Sequence, residues 1–245
     1  MKVINQKGLL FTAILFLCWL SSLIALIQRS TTSMPAWFVI AAIVLRTVLQ
    51  TAMFITAHEA MHGLLLPGKA RWNHRIGACA LTLYGALSYQ SCLRKHRLHH
   101  RHTASKHDPD FSEDREAGIA AWYLRFMGNY LSQRQLLSLL MLWGLFITLG
   151  SIANRSAWIN VILFCTLPLL LSSIQLFVFG TYLPHRKQRQ PFNQRTPDSL
   201  ALPSWLSLLT CFHFGYHREH HEHPDLAWYE LPAQRRMSQK LAPSQ

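Results

Sequence analysis

The sequence predicts an all-α integral membrane protein. Four transmembrane helices would carry a helical cap that holds a histidine-rich two-metal site. Three observations predict it. Half of the 245 residues are hydrophobic while 14% are charged, a balance that suits a bilayer better than water. Four apolar runs are about as long as a bilayer is thick. The polar segments between them hold three histidine boxes: HEAMH (His58, His62), HRLHH (His96, His99, His100) and HREHH (His217, His220, His221).

The first span covers about 9–27. Lys2 and Lys7 precede it, as in a secretory signal, but the run is long and no small-residue cleavage site follows, so it reads as an uncleaved span. Span two, 36–57, follows Pro35, whose restricted backbone suits entry into a helix. Its length, roughly 33 Å at 1.5 Å per residue, delivers His58 and His62 to the membrane surface, and the helix should run on to Gly63 or Pro67. Residues 77–91 are apolar but short, which predicts an interfacial or re-entrant helix leading into HRLHH. The stretch 118–131 is aromatic and suits the interface. Spans three and four, 135–152 and 158–182, form a hairpin. A basic, Pro-rich loop (185–198) follows, and then a short apolar helix (200–212) feeds HREHH, which Pro224 should end. The whole chain, 1–245, reads as one domain. Its cap is 58–134 and 183–232, and a polar, disordered tail is expected over 233–245.

Four spans put the N-terminus, the C-terminus and both long segments on one side. That side takes all of the 24 Lys and Arg except Arg29, Arg46 and Arg155, and all 14 His and 11 acidic residues. The bias makes it cytoplasmic. The same bias accounts for the net charge of +13 without nucleic acid. A basic face of this kind suits an acidic soluble partner or anionic membrane lipid. The five Cys are scattered without metal-ligand spacing and read as small apolar residues in a reducing compartment.

Residues three and four apart share a helix face, so each box should aim two or three imidazoles one way. Eight such ligands exceed the four of one zinc and suggest two metal ions. Imidazole suits iron, copper, nickel or zinc; an oxygen-activating pair needs redox chemistry, which zinc lacks. HEAMH also fits the HExxH pattern of zinc peptidases, which makes an intramembrane metalloprotease the competing reading. That reading leaves both HxxHH boxes unexplained.

The three boxes in this order on four spans resemble the membrane fatty acid desaturase and hydroxylase superfamily. FITAHEAMHG (54–63), HHRHT with DPDF (99–103, 108–111), FGTYLPHR (179–186) and CFHFGYHREHHEHP (211–224) are similar to β-carotene ketolases, from about residue 36 to 232. Those ketolases usually carry aspartate where this chain has Glu59. The resemblance implies a desaturase-like fold, a non-haem pair of iron ions, O2, and an external electron donor such as reduced ferredoxin. It implies β-carotene or a related carotenoid as substrate, hydroxylated twice at ring carbon C4 to give echinenone or canthaxanthin. A carotenoid hydroxylase or lipid desaturase is the alternative within the superfamily.

On that resemblance the expected iron ligands are His58, His62, His96, His99, His100, His217, His220 and His221, with His185 as a ninth. Glu59, Asp108 and Asp110 are the expected catalytic-centre carboxylates, fixing the second nitrogen of ligand imidazoles. His102, His213 and Glu219 are expected around them, His213 because it would lie one helical turn before His217. His74, His107 and His223 read as structural. The substrate groove is expected among Tyr84, Trp122, Phe126, Phe179, Tyr182, Phe212 and Phe214. Arg46 lies mid-span, where charges are costly and usually paired; Gln50 and Gln175 are its expected partners.

Overall fold

The computed structural model describes residues 6–103, 105–111, 118–186 and 197–241. The helices in chain order are α1 (Gln6–Ile27), α2 (Ala36–His62), α3 (Ala70–Gly85), α4 (Tyr89–His102), α5 (Ile119–Tyr130), α6 (Gln133–Ser151), α7 (Ala157–His185), α8 (Ser204–Cys211), α9 (His217–Glu222) and α10 (Leu231–Leu241). There is no strand among the described residues. Helices α1, α2, α6 and α7 are long and apolar enough to cross a bilayer, which makes this an integral membrane protein. The two short connections meet at one end of the bundle, where Asn154 and Asn160 donate to the Arg29 carbonyl at 2.7 and 2.6 Å. The histidine boxes emerge at the other end.

Helix α2 runs unbroken through both of its histidines and stops at Gly63. That residue adopts φ 76° and takes the helix's last carbonyls on its own N–H, a conformation glycine reaches without strain. Helix α3 then turns back along α2. Gly77 sits against Ala60, where a Cβ would strike Ala60 and Tyr89, and ten residues along α2 the Tyr84 carbonyl accepts from Gln50. Ten helical residues are roughly 15 Å, so the far end of α3 lies about that far along α2 from Ala60 before α4 returns. The apolar stretch 77–91, expected as one interfacial or re-entrant helix, is divided between the end of α3 and the start of α4 by reversal at Ala86 (φ 55°) and the Ser88 cap on Ser91 N–H.

Helix α7 is interrupted by two wide π-type turns, Ile162–Thr166 and Phe177–Tyr182. Each lies just before a proline, Pro168 and Pro184, which cannot donate to the carbonyl four residues back. For Pro168 that carbonyl belongs to Phe164, and Arg46 Nε donates to it at 3.0 Å. Arg46 also donates to the Trp19 carbonyl (2.7 Å) and Ser22 Oγ (3.1 Å), and its guanidinium lies 4.7 Å from the Trp19 ring centre. It therefore joins three spans through backbone carbonyls, and neither Gln50 nor Gln175 is its partner. Gln50 accepts from Trp19 Nε1 at 2.9 Å, while Gln175 accepts from Thr51 at 2.7 Å.

Most of the expected 185–198 loop lies outside the described residues. The tail differs from expectation: its described part is helix α10, anchored because Arg235 pairs with buried Glu219 at 3.0 Å.

Candidate metal centre

Successive helical side chains point about 100° apart. In an HxxHH box, the first and last histidines are one turn apart and share a face, while the middle one points to the flank. The structure exploits that divergence, so a box does not aim all its imidazoles one way. From α4, His96 and His100 join His58 and His62 of α2 and His220 of α9 in one cluster. His99 turns the other way and joins His217 and His221 of α9. Each HxxHH box thus divides two and one, and the two boxes are complementary. His185, at the end of α7, stands beside the second cluster, its ring 5.3 Å from His99 and 5.0 Å from His217.

Within each cluster, ring nitrogens face one another. Nε2 pairs lie 2.7 Å apart for His62–His96 and 3.1 Å for His100–His220; in the second cluster His99–His221, His217–His221 and His99–His217 are 3.0, 3.2 and 3.3 Å apart. Nitrogens sharing one ion at about 2.1 Å sit roughly 3.0–3.4 Å apart. In the first cluster the buried His58 Nδ1 has no hydrogen-bond partner among the described residues. These donor sets fit two imidazole-bound metal ions.

The charge state favours the same use. Burial, reinforced by neighbouring imidazoles, holds His96, His217, His220 and His221 well below the ordinary histidine range, and His100 is lowered to about 3. They keep lone pairs at neutral pH. His99 is the exception. Burial would lower it too, but the Asp108 carboxylate outweighs burial and raises it, while His99 in turn holds Asp108 low.

Asp108 Oδ1 accepts from His99 Nδ1 and from the Asp110 backbone N–H, both at 2.9 Å. The bond fixes the His99 tautomer, leaving Nε2 for the cluster. Helix α5 clamps this turn: Tyr130 donates to Asp110 Oδ1 (2.6 Å), Trp122 to the Asp110 carbonyl (3.1 Å) and Asn129 to the Pro109 carbonyl (2.6 Å). Thr103 does for His221 what Asp108 does for His99. Its single proton goes to the His99 carbonyl at 2.7 Å, so its oxygen accepts from His221 Nδ1 at 3.2 Å. The sequence signal for Thr103 was its position four residues after His99; its His221 contact needed the fold.

Other expected site residues sit differently. Glu59 lies 3.9 Å from His58 Nδ1, too far for a hydrogen bond, and its carboxylate meets the Trp228 backbone N–H. Glu219 bonds Ser199 and Arg235, not a histidine. His213 is on no helix with His217: α8 ends at Cys211, and Phe212 and His213 both take positive φ. Its ring stacks on Tyr216 and Trp228, and burial lowers its pKa to about 4. His102 pairs with His107, rings 5.8 Å apart.

An apolar cavity of about 320 Å³ touches His58, His96, His99 and His217. Its wall continues along α5 and α6 to Trp143, roughly 15 Å down α6, and along α7 to Thr166. Of the expected groove residues, Tyr84, Phe126 and Phe214 line it. Trp122 and Tyr182 pack behind with Phe177, Phe212 packs on Phe11 and Trp228, and Phe179 packs on the core. Tyr123, Tyr130, Leu139 and Trp143 line it without having been expected; their helical spacing alone does not tell a cavity wall from lipid contact.

A family model described as fatty acid desaturase matches residues 34–148 and 129–245. The chain belongs to the fatty acid desaturase family. Within it, the chain is 43% identical over 191 residues to a beta-carotene ketolase of Paracoccus sp. (strain N81106 / MBIC 01143), covering 77% of this chain and 76% of that one. It is 40% identical over 230 residues to a beta-carotene ketolase of Paracoccus sp. (strain PC1), covering 92% and 90%. A zeaxanthin 4-ketolase of Chlamydomonas reinhardtii is 35% identical over 216 residues, 84% of this chain and 46% of that one.

Proposed function

We propose that this chain is an oxidoreductase, a carotenoid ketolase that converts the C4 methylene of a β-carotene ring to a ketone. The observation that carries it is the contact of two imidazole clusters with one apolar cavity, in a chain whose relatives are carotene ketolases. The allylic C4 hydrogen is weakly held but far from acidic, so its removal calls for an oxidant. Each round converts C–H to C–OH with one atom of O2; the other leaves as water, taking up two electrons and two protons. A second round on the same carbon gives a geminal diol, which loses water to the ketone.

Two iron ions, held by the nine assigned histidines, would supply the oxygen-activating redox chemistry. The chain's own groups bind and orient. Asp108 and Thr103 hold His99 and His221 with Nε2 turned inward. Tyr84, Phe126 and Phe214 enclose the ring, and the apolar wall excludes water, which protects a reactive oxidant from side reactions. The reductant is an external donor such as reduced ferredoxin, docking on the basic cytoplasmic face, and membrane lipid delivers the substrate. The domain is single, with boxes and both termini cytoplasmic. The peptidase reading has no support, since HEAMH's histidines sit among three further imidazoles and Glu59 turns away to Trp228.

Expression in cells that accumulate β-carotene tests the proposal. Ketone formation should shift the pigment to red, and the purified protein should hold about two irons per chain. Alcohol alone, unchanged carotene or a single zinc would overturn it.

A further inference from the structure

One hydroxyl beside the clusters has no part in the reaction as written. Thr181 lies in the second wide turn of α7, is 6% exposed and lines the cavity. His185, beside the second cluster, follows it by one helical turn, which sets their Cβ atoms about 6 Å apart. On its other side, the Phe214 ring packs 2.7 Å from where a Gly180 Cβ would stand, and its centre is 4.6 Å from that of His58 in the first cluster. Thr181 therefore stands at the end of the cavity that both clusters share. Thr12, Thr47 and Thr148 each give their proton to the carbonyl four residues back, and Thr166, in the first wide turn, to the carbonyl five back. Thr181 makes no such bond, nor any other among the described residues. The remaining hydroxyls of the wall are engaged: Tyr123 and Ser173 bond each other at 2.7 Å, Tyr130 donates to Asp110, and Tyr84 accepts from Ser172 at 3.5 Å. Folded proteins seldom keep a buried hydroxyl unpartnered without a reason, and wide turns of this kind are frequent at functional sites.

We infer that the Thr181 hydroxyl hydrogen-bonds the first oxygen placed on ring carbon C4, and so retains the ring alcohol between the two hydroxylations. The inference rests on the ketolase reading above. C4 must come to the clusters to react, so its new oxygen arises at the end of the cavity where Thr181 stands. The starting methylene offers Thr181 nothing, whereas the alcohol can both donate to it and accept from it. A hydroxyl in an apolar cavity without a partner is unfavourable, so without Thr181 the alcohol would leave before its second round. The ketone can still accept from Thr181, but it is the end product at that carbon, so holding it alters the rate of release and not what is made.

The test compares the parent chain with Thr181→Val, which keeps the shape of the side chain and removes the hydroxyl, and with Thr181→Ser, which keeps the hydroxyl. In cells that accumulate β-carotene, chromatography should show the ratio of ring alcohol to ring ketone rising about tenfold in the valine variant, the effect of losing one hydrogen bond of ordinary strength. The serine variant should stay close to the parent. The ratio compares two products of one enzyme, so a smaller amount of folded protein does not move it. A second measurement needs no variant. Tryptophan-fluorescence quenching of the purified parent in lipid nanodiscs, with each carotenoid at equal mole fraction, should report about tenfold tighter binding of 4-hydroxylated β-carotene than of β-carotene. An unchanged ratio in the valine variant, a serine variant that behaves like the valine one, or equal affinity of the parent for the two carotenoids overturns the inference. A parent that makes no ketone overturns the ketolase reading instead, and the binding preference, kept by the parent and lost in Thr181→Val, then decides the role of Thr181 on its own.

Discussion

Thr103 shows how one hydroxyl can set the chemistry of a site. Its proton is given to the His99 carbonyl, so it can only accept from His221, and His221 must then present an unprotonated Nε2 to its cluster. Outer partners of this kind typically matter 10–100-fold in metal affinity. Thr103→Val should therefore lose metal to a chelator roughly tenfold more readily than the parent, whereas Thr103→Ser should hold it. Equal retention by the valine variant would remove the role assigned to the hydroxyl. The histidines of the three boxes were legible from residue type and spacing, and His185 through the family resemblance. Thr103 and Tyr130 were not, because their partners lie across the fold and nothing in a lone Thr or Tyr announces a hydrogen bond to a distant residue. Glu59 differs from expectation: named as a carboxylate for a ligand imidazole, it lies 3.9 Å from His58 Nδ1 and meets the Trp228 backbone N–H.

At the scale of elements, the apolar runs foretold α1, α2, α6 and α7, because length and hydropathy alone decide what can cross a bilayer. The π-type turns of α7 and the path of Arg46 were hidden, since they depend on which carbonyl a proline orphans and on who reaches it. The last helix is the clearest departure from expectation. Its composition is polar, yet Arg235 lies across Tyr216 and pairs with Glu219, whose residue is 3% exposed. Removing one partner of a buried pair strands the other charge. Arg235→Ala should therefore lower stability by about 3 kcal/mol in thermal or denaturant unfolding, with loosening of α9 and its three histidines. An Arg235→Ala protein as stable as the parent would make α10 a passenger.

Across the whole molecule, two clusters of neutral imidazoles under one cap make stability depend on pH. His96, His100, His217, His220 and His221 have lowered pKa values in the fold. The unfolded chain takes up protons below about 6.5 that the fold refuses. Their contribution is thus complete above that pH and is lost as pH falls. His99 is raised and runs the opposite way, its share complete below about 6.5 and lost as pH rises through its folded value. With His213, also lowered, six imidazoles outweigh one, so the melting temperature of metal-free protein should fall between pH 7 and 5. A flat profile would mean that these rings are not buried as neutral groups. By itself the sequence determined the membrane class, the span count and the identity of the candidate ligands, because hydropathy and residue chemistry are local properties. Only the tertiary structure decided that each HxxHH box divides between two clusters, and which side chains wall the cavity. Those facts rest on how α2, α4, α7 and α9 converge, and residues far apart in the chain carry no mark of their eventual neighbours.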